Sequence, residues 1–186
     1  MNADLSSESN EWYTPPKLVE SFRRVMGTIE LDPCSNAVAQ IYIKAAAWCG
    51  PGSPNRGDGL GLAPWLSMWP ESSPVGVLLN PPGGKIGRES SAQVWLREYV
   101  DHFHNGYIRE LCFVGFNPEW VRRSEDELGS AVLCIPRERL RFWHVVDGKL
   151  VESKQPTKWN TLAYWGPNKD RFREEMKEWG PCYVQL

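Results

Sequence analysis

Three uninterrupted apolar runs in the middle of the chain predict buried β-strands. They occupy residues 75–79, 111–116 and 131–135, and consist mostly of β-branched and aliphatic side chains without polar alternation. That pattern is typical of strands that are covered on both faces. A helix that Ser90 or Ser91 can cap precedes the second run, and a short helix is expected between the second and the third. This order of elements indicates an α/β core in which helices pack against a sheet.

The N-terminal part predicts a helix, a short strand and a second helix. Thr14 is followed by two prolines and is placed to cap a helix, which apolar residues at helical spacing continue to Gly27. Residues 28–32 then predict a strand, and Asn36 can cap a helix that extends to about Ala47. The chain is therefore expected to begin with helix, strand and helix.

The C-terminal part predicts antiparallel structure. Asp147 and Gly148 separate strand-like runs at residues 140–146 and 149–152, which is a strong hairpin signal. Three further elements are expected: a strand at residues 161–165, a helix from Asn168 to about Trp179, and a last strand at residues 182–185. The predicted fold is α/β, with a mainly parallel, doubly wound sheet and an antiparallel C-terminal hairpin.

Length and charge fit one globular domain. The chain has 186 residues, 41% of them hydrophobic, and a formal net charge of -2. From Arg137 onward ten basic residues accompany seven acidic ones. A polyanion is therefore expected to meet the C-terminal part.

Several classes of protein are not expected. The apolar runs are shorter than the roughly 18 residues of a membrane helix, and the polar N-terminus has no signal-peptide core, so we expect a soluble, cytoplasmic protein. The five cysteines are isolated and odd in number, which predicts reduced thiols. His102 and His104 are two residues apart and His144 stands alone, so no metal site is expected.

The tetrapeptide Asn80-Pro81-Pro82-Gly83 carries the most informative chemistry. It follows the first buried strand, at the edge where α/β sheets bind ligands. The two prolines lack backbone donors and fix two φ angles, so carbonyl oxygens project from a stiff turn. The side-chain oxygen of Asn80 and the carbonyl of Pro81 can each accept an N–H of a planar amine, which frees the nitrogen lone pair for attack. The alternative is a proline-rich loop that only ends a strand.

Four segments, in this order, resemble the phage-type DNA N6-adenine methyltransferase family: residues 11–16 (EWYTPP), 31–36 (LDPCSN), 58–60 (DGL) and 79–82 (LNPP). Residues 136–142 (PRERLRF) and a late strand, glycine and helix extend the similarity. The resemblance implies an S-adenosylmethionine-dependent enzyme with a Rossmann-like, seven-stranded class I methyltransferase fold. It also implies one domain at residues 11–186, without a separate target-recognition domain, after a flexible N-terminus at residues 1–10.

The resemblance implies a cofactor site. Asp32 is expected to contact S-adenosylmethionine through its carboxylate, as either the first or the second acidic motif of methyltransferases, and Asp58 to read the cofactor adenine. Each acid could instead be a turn residue, beside Pro33 and before Gly59 respectively. The other residues expected to bind the cofactor are Trp12, Tyr13, Thr14, Pro15 and Pro33.

One position departs from the family pattern. Methyltransferases of this kind usually carry an aromatic residue where this chain has Gly83, and that residue stacks on the extruded base. Either another aromatic stacks on the base, or the substrate is not a flipped base, or activity is lost. The possible substitutes are Trp95, Phe116, Phe142, Trp143 and Trp159.

Two basic groups are expected to meet phosphates. Arg137, Arg139 and Arg141 alternate along a presumed strand and would share one face, joined across the hairpin by Lys154 and Lys158. The alternative is a solvated face near Glu138 and Glu152. Lys85 and Arg88 follow the tetrapeptide and form a second group. The expected substrate-binding set is Gly83, Lys85, Arg88, Arg137, Arg141 and Trp143.

These observations favour a phage or prophage enzyme of the bacterial host cytoplasm that methylates adenine N6 in double-stranded DNA, with the base flipped out. Asn80 and Pro81 would polarise the amine and Pro82 would stiffen the turn. Transfer would be direct, because no cysteine lies in the setting that cytosine C5 chemistry requires. The alternatives are cytosine N4, RNA guanine or protein glutamine as the acceptor, or a non-catalytic binding module. The oligomeric state stays open.

Overall fold

The computed structural model describes residues 12–54, 59–60, 74–116, 118–146, 149–153 and 159–184. The expected flexible N-terminus at residues 1–10 lies outside them. The described helices are α1 (Pro16–Met26), α2 (Gln40–Ile43), α3 (Ser91–His104), α4 (Glu119–Arg123), α5 (Glu125–Leu128) and α6 (Lys169–Met176). The described strands are β1 (Leu31–Asp32), β2 (Ala47–Trp48), β3 (Val75–Leu79), β4 (Lys85–Ile86), β5 (Glu89–Ser90), β6 (Ile108–Phe116), β7 (Val132–Cys134), β8 (Trp143–Val146), β9 (Lys149–Glu152), β10 (Asn160–Trp165) and β11 (Cys182–Val184).

Seven of these strands form one mixed sheet in the order β11-β7-β10-β6-β3-β1-β2. Four neighbouring strands, β6, β3, β1 and β2, are parallel to one another. Strand β10 is inserted between β6 and β7 and runs antiparallel to both, and β11 is antiparallel to β7. The two strands of the predicted hairpin pair as β8 and β9 in a separate two-stranded sheet, and the predicted turn residues Asp147 and Gly148 lie outside the described residues. The α/β class is therefore confirmed, with more antiparallel pairing inside the main sheet than the sequence predicted.

Helices cover both faces of the sheet, as the uninterrupted apolar strands predicted. On one face Phe22 of α1 and Phe172 of α6 pack in a cluster with Leu78 and Leu162. On the other face α3 contributes Trp95, Leu96 and Tyr99 to a cluster with Leu79, Phe113 and Trp165. Burying such aliphatic and aromatic side chains contributes roughly 1.5–3 kcal/mol each. In the described part of the chain, no helix is long and apolar enough to cross a membrane.

The strand order reverses between β1 and β3. From β1 the chain passes to β2 on one side, and it later returns to β3 on the other side. The carboxyl ends of parallel strands at such a reversal leave a crevice where ligands bind in open α/β sheets. Asp32 ends β1 and Asn80 follows β3. The fold thus brings the two most informative sequence motifs to one crevice.

The first two helices differ from the predicted ones, α1 in its N-cap and α2 in its length. Thr14 does not cap α1, because the position before the helix is Pro15 and no side chain bonds there. The amide oxygen of Asn36 does accept the backbone N–H groups of Val38 and Ala39, each at 3.0 Å. The helix that follows is only one turn long, however, and Ala47 already belongs to β2. The predicted strand at residues 28–32 is reduced to Leu31–Asp32.

The segment that carries the three alternating arginines is not a strand. Residues 137–142 are irregular, although Arg137, Arg139 and Arg141 are exposed while Leu140 and Phe142 are buried. The backbone N–H of Arg137 donates to the carbonyl of Trp179 at 2.8 Å. The alternation therefore arises because two apolar side chains anchor a loop, and the expected shared strand face was wrong. At the start of α6, Asn168 occupies the predicted position but makes no side-chain cap.

Candidate active site

A cavity of about 590 Å³ lies at the carboxyl ends of β1, β3 and β6. Its volume is in the range of about 300–1,000 Å³ that small-molecule sites occupy. It brings together the catalytic prediction and most of the cofactor prediction. The predicted residues that line it are Asn80, Pro81, Pro82 and Gly83, together with Trp12, Tyr13, Thr14, Asp32 and Pro33. Asp58 lies outside the described residues, although the neighbouring Gly59 lines the cavity.

Asn80 has a fixed amide orientation. Its Nδ2 donates to the backbone carbonyl of Trp12 at 3.0 Å. Because a carbonyl oxygen only accepts, the nitrogen faces Trp12 and Oδ1 must face away. That oxygen is buried and has no hydrogen-bond partner among the residues that the structure describes. A buried acceptor left unpaired costs about 1–3 kcal/mol, and a ligand N–H or O–H would remove that cost.

Two more unpaired polar atoms belong to the same cavity. Thr14 and Asn160 are each 1% exposed and line it. Within the described ranges, Thr14 Oγ1 and Asn160 Oδ1 also lack partners. Asn160 begins β10 opposite Phe116, and its Nδ2 donates to the Gly115 carbonyl at 3.5 Å. Buried polar groups are normally hydrogen-bonded, and a polar ligand in this cavity would supply partners for these three atoms.

Asp32 places a buried carboxyl group in the cavity. It is 2% exposed, and its Oδ2 accepts from Gln40 Nε2 at 2.9 Å. Burial raises the pKa of Asp32 to about 6, although hydrogen bonds from Ser35, the Cys34 backbone and Gln40 lower it. The group is therefore largely ionised at neutral pH. A cation or hydroxyl donor is the ligand group that a buried carboxylate stabilises best.

Gln40 fixes the position of that carboxyl group. Its Oε1 accepts from the Ala45 backbone N–H at 2.9 Å, so its Nε2 must face Asp32 and the hydroxyl of Ser35. Sequence reading missed Gln40 and Asn160, because neither belongs to a motif. Ser35 lies in the LDPCSN segment but was not assigned a role. The one available signal for Gln40 was its place eight residues after Asp32, one turn into the helix expected after Asn36.

Two glycines permit the cavity wall to close. A Cβ on Gly50 would lie 2.0 Å from the carbonyl oxygen of Ser35, and one on Gly59 would lie 2.0 Å from that of Pro33. Gly59 is also held by Tyr99, whose hydroxyl donates to its carbonyl at 2.5 Å. Larger residues would force these loops away from the turn that follows Asp32.

Three of the five aromatic substitutes for residue 83 line the cavity. They are Trp95, Phe116 and Phe142, and the rings of the two phenylalanines lie 4.6 Å apart between centroids. Trp143 lines a separate groove, and Trp159 is 44% exposed beneath the guanidinium of Arg139. The turn itself leaves room for a ring. Gly83 is exposed, its φ is outside the left-handed region, and a Cβ there would have nothing within 4 Å.

The described basic residues expected to meet phosphates do not line the cavity, and Lys154 and Lys158 lie outside the described residues. Arg137, Arg139 and Arg141 line the separate groove with Pro15 and Trp143. The groove also contains Glu138, Glu152 and Glu178, so its charge is mixed. Lys85 and Arg88 are exposed on the β4–β5 hairpin, which the sequence did not predict and which follows the tetrapeptide directly. Their roles, and those of Arg137, Arg141, Pro15 and Trp143, stay predictions.

Comparison of the chain with protein-family models, curated proteins and solved structures finds no match in any of the three. The function proposed below therefore rests on the residues of the cavity and on the motifs in the sequence.

Proposed function

We propose that this chain is an S-adenosylmethionine-dependent methyltransferase with a Rossmann-like class I fold, and that its acceptor is the N6 amino group of adenine in DNA. The observation that carries the proposal is the orientation of the Asn80 side chain. Its amide is oriented by Trp12 and leaves Oδ1 as a buried acceptor without a partner among the described residues, and Asn80 lines the cavity together with Pro81, Pro82 and Asp32.

The cavity suits the donors of this cofactor. S-adenosylmethionine carries an ammonium group and two ribose hydroxyls, and Asp32 and the hydroxyl of Thr14 are polar groups in the wall that can bind them. The cofactor supplies a methyl carbon bonded to a positively charged sulfur. Trp95 and the phenylalanine pair offer apolar surface for the adenine rings of cofactor and substrate.

Asn80 and Pro81 would act on the acceptor amine. The lone pair of an aromatic amino group is delocalised into the ring, which makes the nitrogen a poor nucleophile. Two fixed acceptor oxygens, one on each N–H, favour a tetrahedral nitrogen whose lone pair points away from the ring plane. Because Trp12 and the two prolines hold these oxygens in place, no reorganisation is needed during transfer. As the nitrogen–carbon bond forms, the bond between the methyl carbon and the sulfonium sulfur would break, the sulfur would leave as a neutral thioether, and the amine would lose one proton to solvent.

The empty space at Gly83 leads to a gain-of-function prediction. Gly83→Tyr is expected to fold normally and to lower the KM for DNA by about tenfold, since base–aromatic stacking contributes about 1–3 kcal/mol. Gly83→Ala adds a Cβ without a ring and is the matched control. Steady-state kinetics on an oligonucleotide check this. An unchanged KM in Gly83→Tyr would argue against a flipped base beside residue 83.

Cofactor binding distinguishes an enzyme from a non-catalytic module on the same fold. S-adenosylmethionine at about 100 times its Kd is expected to raise the free energy of unfolding by roughly 2.7 kcal/mol. For a chain of this size, that corresponds to a Tm rise of about 5–10 °C in a thermal melt. A nucleotide without the sulfonium group, such as ATP, is the control. An unchanged Tm would favour the binding module.

Other amino acceptors are kept open by one observation, the absence of an aromatic side chain at Gly83. Incubation with methyl-labelled cofactor and unmethylated DNA, RNA or protein extract, in parallel, separates them. The proposal predicts label in DNA as N6-methyladenine. Label in RNA or protein alone would keep the cofactor site and replace the substrate.

A further inference from the structure

Two cysteines face each other across the last pair of strands in the main sheet. Cys134 of β7 lies opposite Cys182 of β11 in antiparallel register. The next backbone bond runs from Ile135 N to Pro181 O at 3.0 Å, which makes the cysteine pair a non-hydrogen-bonded pair of the ladder. The Cα atoms of such pairs are about 4.5 Å apart, inside the range of about 4.4–6.8 Å for disulfides. The backbone therefore already has a geometry that a disulfide can bridge.

A glycine fixes this register. A Cβ on Gly180 would lie 1.9 Å from the carbonyl oxygen of Ile135, so only glycine lets the chain approach β7 this closely before β11 begins. Pro181 and Cys182 follow Gly180 directly in the chain. The close approach of the backbone at Gly180 therefore brings Cys182 opposite Cys134.

The two thiols have different environments. Cys134 is fully buried, whereas Cys182 is partly exposed on the edge strand. The neighbouring Cys134 thiol and the charge of Arg173 lower the pKa of Cys182, although partial burial opposes this. The neighbouring Cys182 and burial raise the pKa of Cys134, whose thiol donates to the carbonyl of Met176 at 4.0 Å. A partly exposed cysteine with a lowered pKa beside a second thiol is the arrangement of redox-sensitive cysteines.

We propose that Cys134 and Cys182 are a redox-active pair that a hydroperoxide converts into a cross-strand disulfide. The Cys182 thiolate attacks one peroxide oxygen, the O–O bond breaks, and the other oxygen leaves as an alcohol or water after taking a proton. The Cys134 thiol then attacks the sulfenic sulfur of Cys182, the S–S bond forms, and water leaves. Two thiols are oxidised and one peroxide is reduced.

The disulfide would tie the edge strand to the sheet. The two cysteines bracket the part of the chain that supplies Leu140, Phe142, Ser153 and Asn160 to the cavity. Oxidation would therefore join both ends of that segment. The inference rests on the strand pairing and on the environments of the two thiols, and it is independent of the proposed methyl transfer.

Treatment of the full chain with hydrogen peroxide, followed by non-reducing peptide mapping, tests the pair. We expect one intramolecular Cys134–Cys182 disulfide, reversed by dithiothreitol, in the wild type and equally in the control Cys112→Ser. In Cys134→Ser the disulfide is lost and a sulfenic acid at Cys182 is trapped by dimedone. A disulfide between Cys34 and Cys49 instead, or over-oxidation of Cys182 in the wild type without any disulfide, would overturn the proposal.

A measurement on the wild type covers the case in which a variant fails to fold. Backbone amides of β11 are expected to exchange with deuterium more slowly in the oxidised chain than in the reduced chain, because the edge strand can no longer separate. Strands β1 and β3 serve as the internal reference. Unchanged or faster exchange at β11 would contradict a disulfide that ties this strand to the sheet.

Discussion

Asn80→Ala is expected to lower kcat for methyl transfer by at least about 10²–10³-fold, the loss typical when one preorganised polar group at a reacting atom is removed. Cofactor affinity should be unchanged, because the side chain acts on the acceptor amine. Single-turnover transfer of labelled methyl to an oligonucleotide measures the first quantity, and calorimetric titration with S-adenosylmethionine measures the second.

Asn80→Asp is the matched control for this prediction. It keeps acceptor oxygens of similar size but loses the Nδ2 bond to the Trp12 carbonyl. We expect its kcat to lie between those of the wild type and Asn80→Ala, because the oxygens are present but are no longer oriented. Wild-type turnover in Asn80→Ala would remove Asn80 from the reaction.

Asp32→Asn is expected to remove a loss of stability that the wild type shows between pH 4 and 7.5, and to abolish cofactor binding. Burial raises the pKa of Asp32 in the folded chain to about 6, from its ordinary value of 3.8. Because folding raises this pKa, the contribution of Asp32 to the free energy of unfolding is greatest below pH 3.8 and is lost as the pH rises through about 6. Above that pH the free energy of unfolding is lower by roughly 3 kcal/mol than it is below pH 3.8. The variant should lack this loss, so its Tm should fall less than that of the wild type between pH 4 and pH 7.5.

Thermal melts from pH 4 to 8 measure this difference. Asp170→Asn is the control, because it removes a carboxylate whose side chain is 95% exposed and which does not line the cavity. The affinity of the wild type for S-adenosylmethionine should fall as the pH drops below about 6, because protonation removes the carboxylate. Asp32→Asn with wild-type affinity, or with the same fall in Tm from pH 4 to 7.5 as the wild type, would contradict the role given to this residue.

The sequence predicted the core of the fold because burial on both faces leaves a local pattern. Strand β3 and most of β6 could be located from their apolar runs alone, and helix α3 from its flanking serines and Gly106. The identity of the strand that a given strand pairs with leaves no such local pattern in the sequence. That β10 is inserted antiparallel between β6 and β7 depends on how distant segments meet, and no periodicity within residues 160–165 encodes it.

Two elements were mistaken for physical reasons. The helix after Asn36 ends early because Lys44 adopts a left-handed conformation, with φ at 49°, and the chain then turns into β2. The alternation of Arg137 to Phe142 resembles a strand, but it reflects two buried side chains, Leu140 and Phe142, in an irregular loop. Both errors arise where a tertiary contact determines the backbone.

The residues of the site also divide into those that sequence motifs predicted and those that they did not. Asp32, Asn80 and the two prolines belong to motifs at strand ends, and the structure brings them together in one cavity. Gln40 and Asn160 acquire importance only through their surroundings, one by orienting Asp32 and the other by leaving a buried oxygen unpaired. Such roles become visible once the elements are packed.

The most direct test of the proposed function is a crystal structure of the chain with S-adenosylmethionine. We expect density for the cofactor in the cavity, with its polar groups near Asp32 and its methyl carbon directed toward the space beside Asn80 Oδ1. A sulfonium bound in the separate groove, or in the cavity with the methyl directed away from Asn80, would contradict the proposed function.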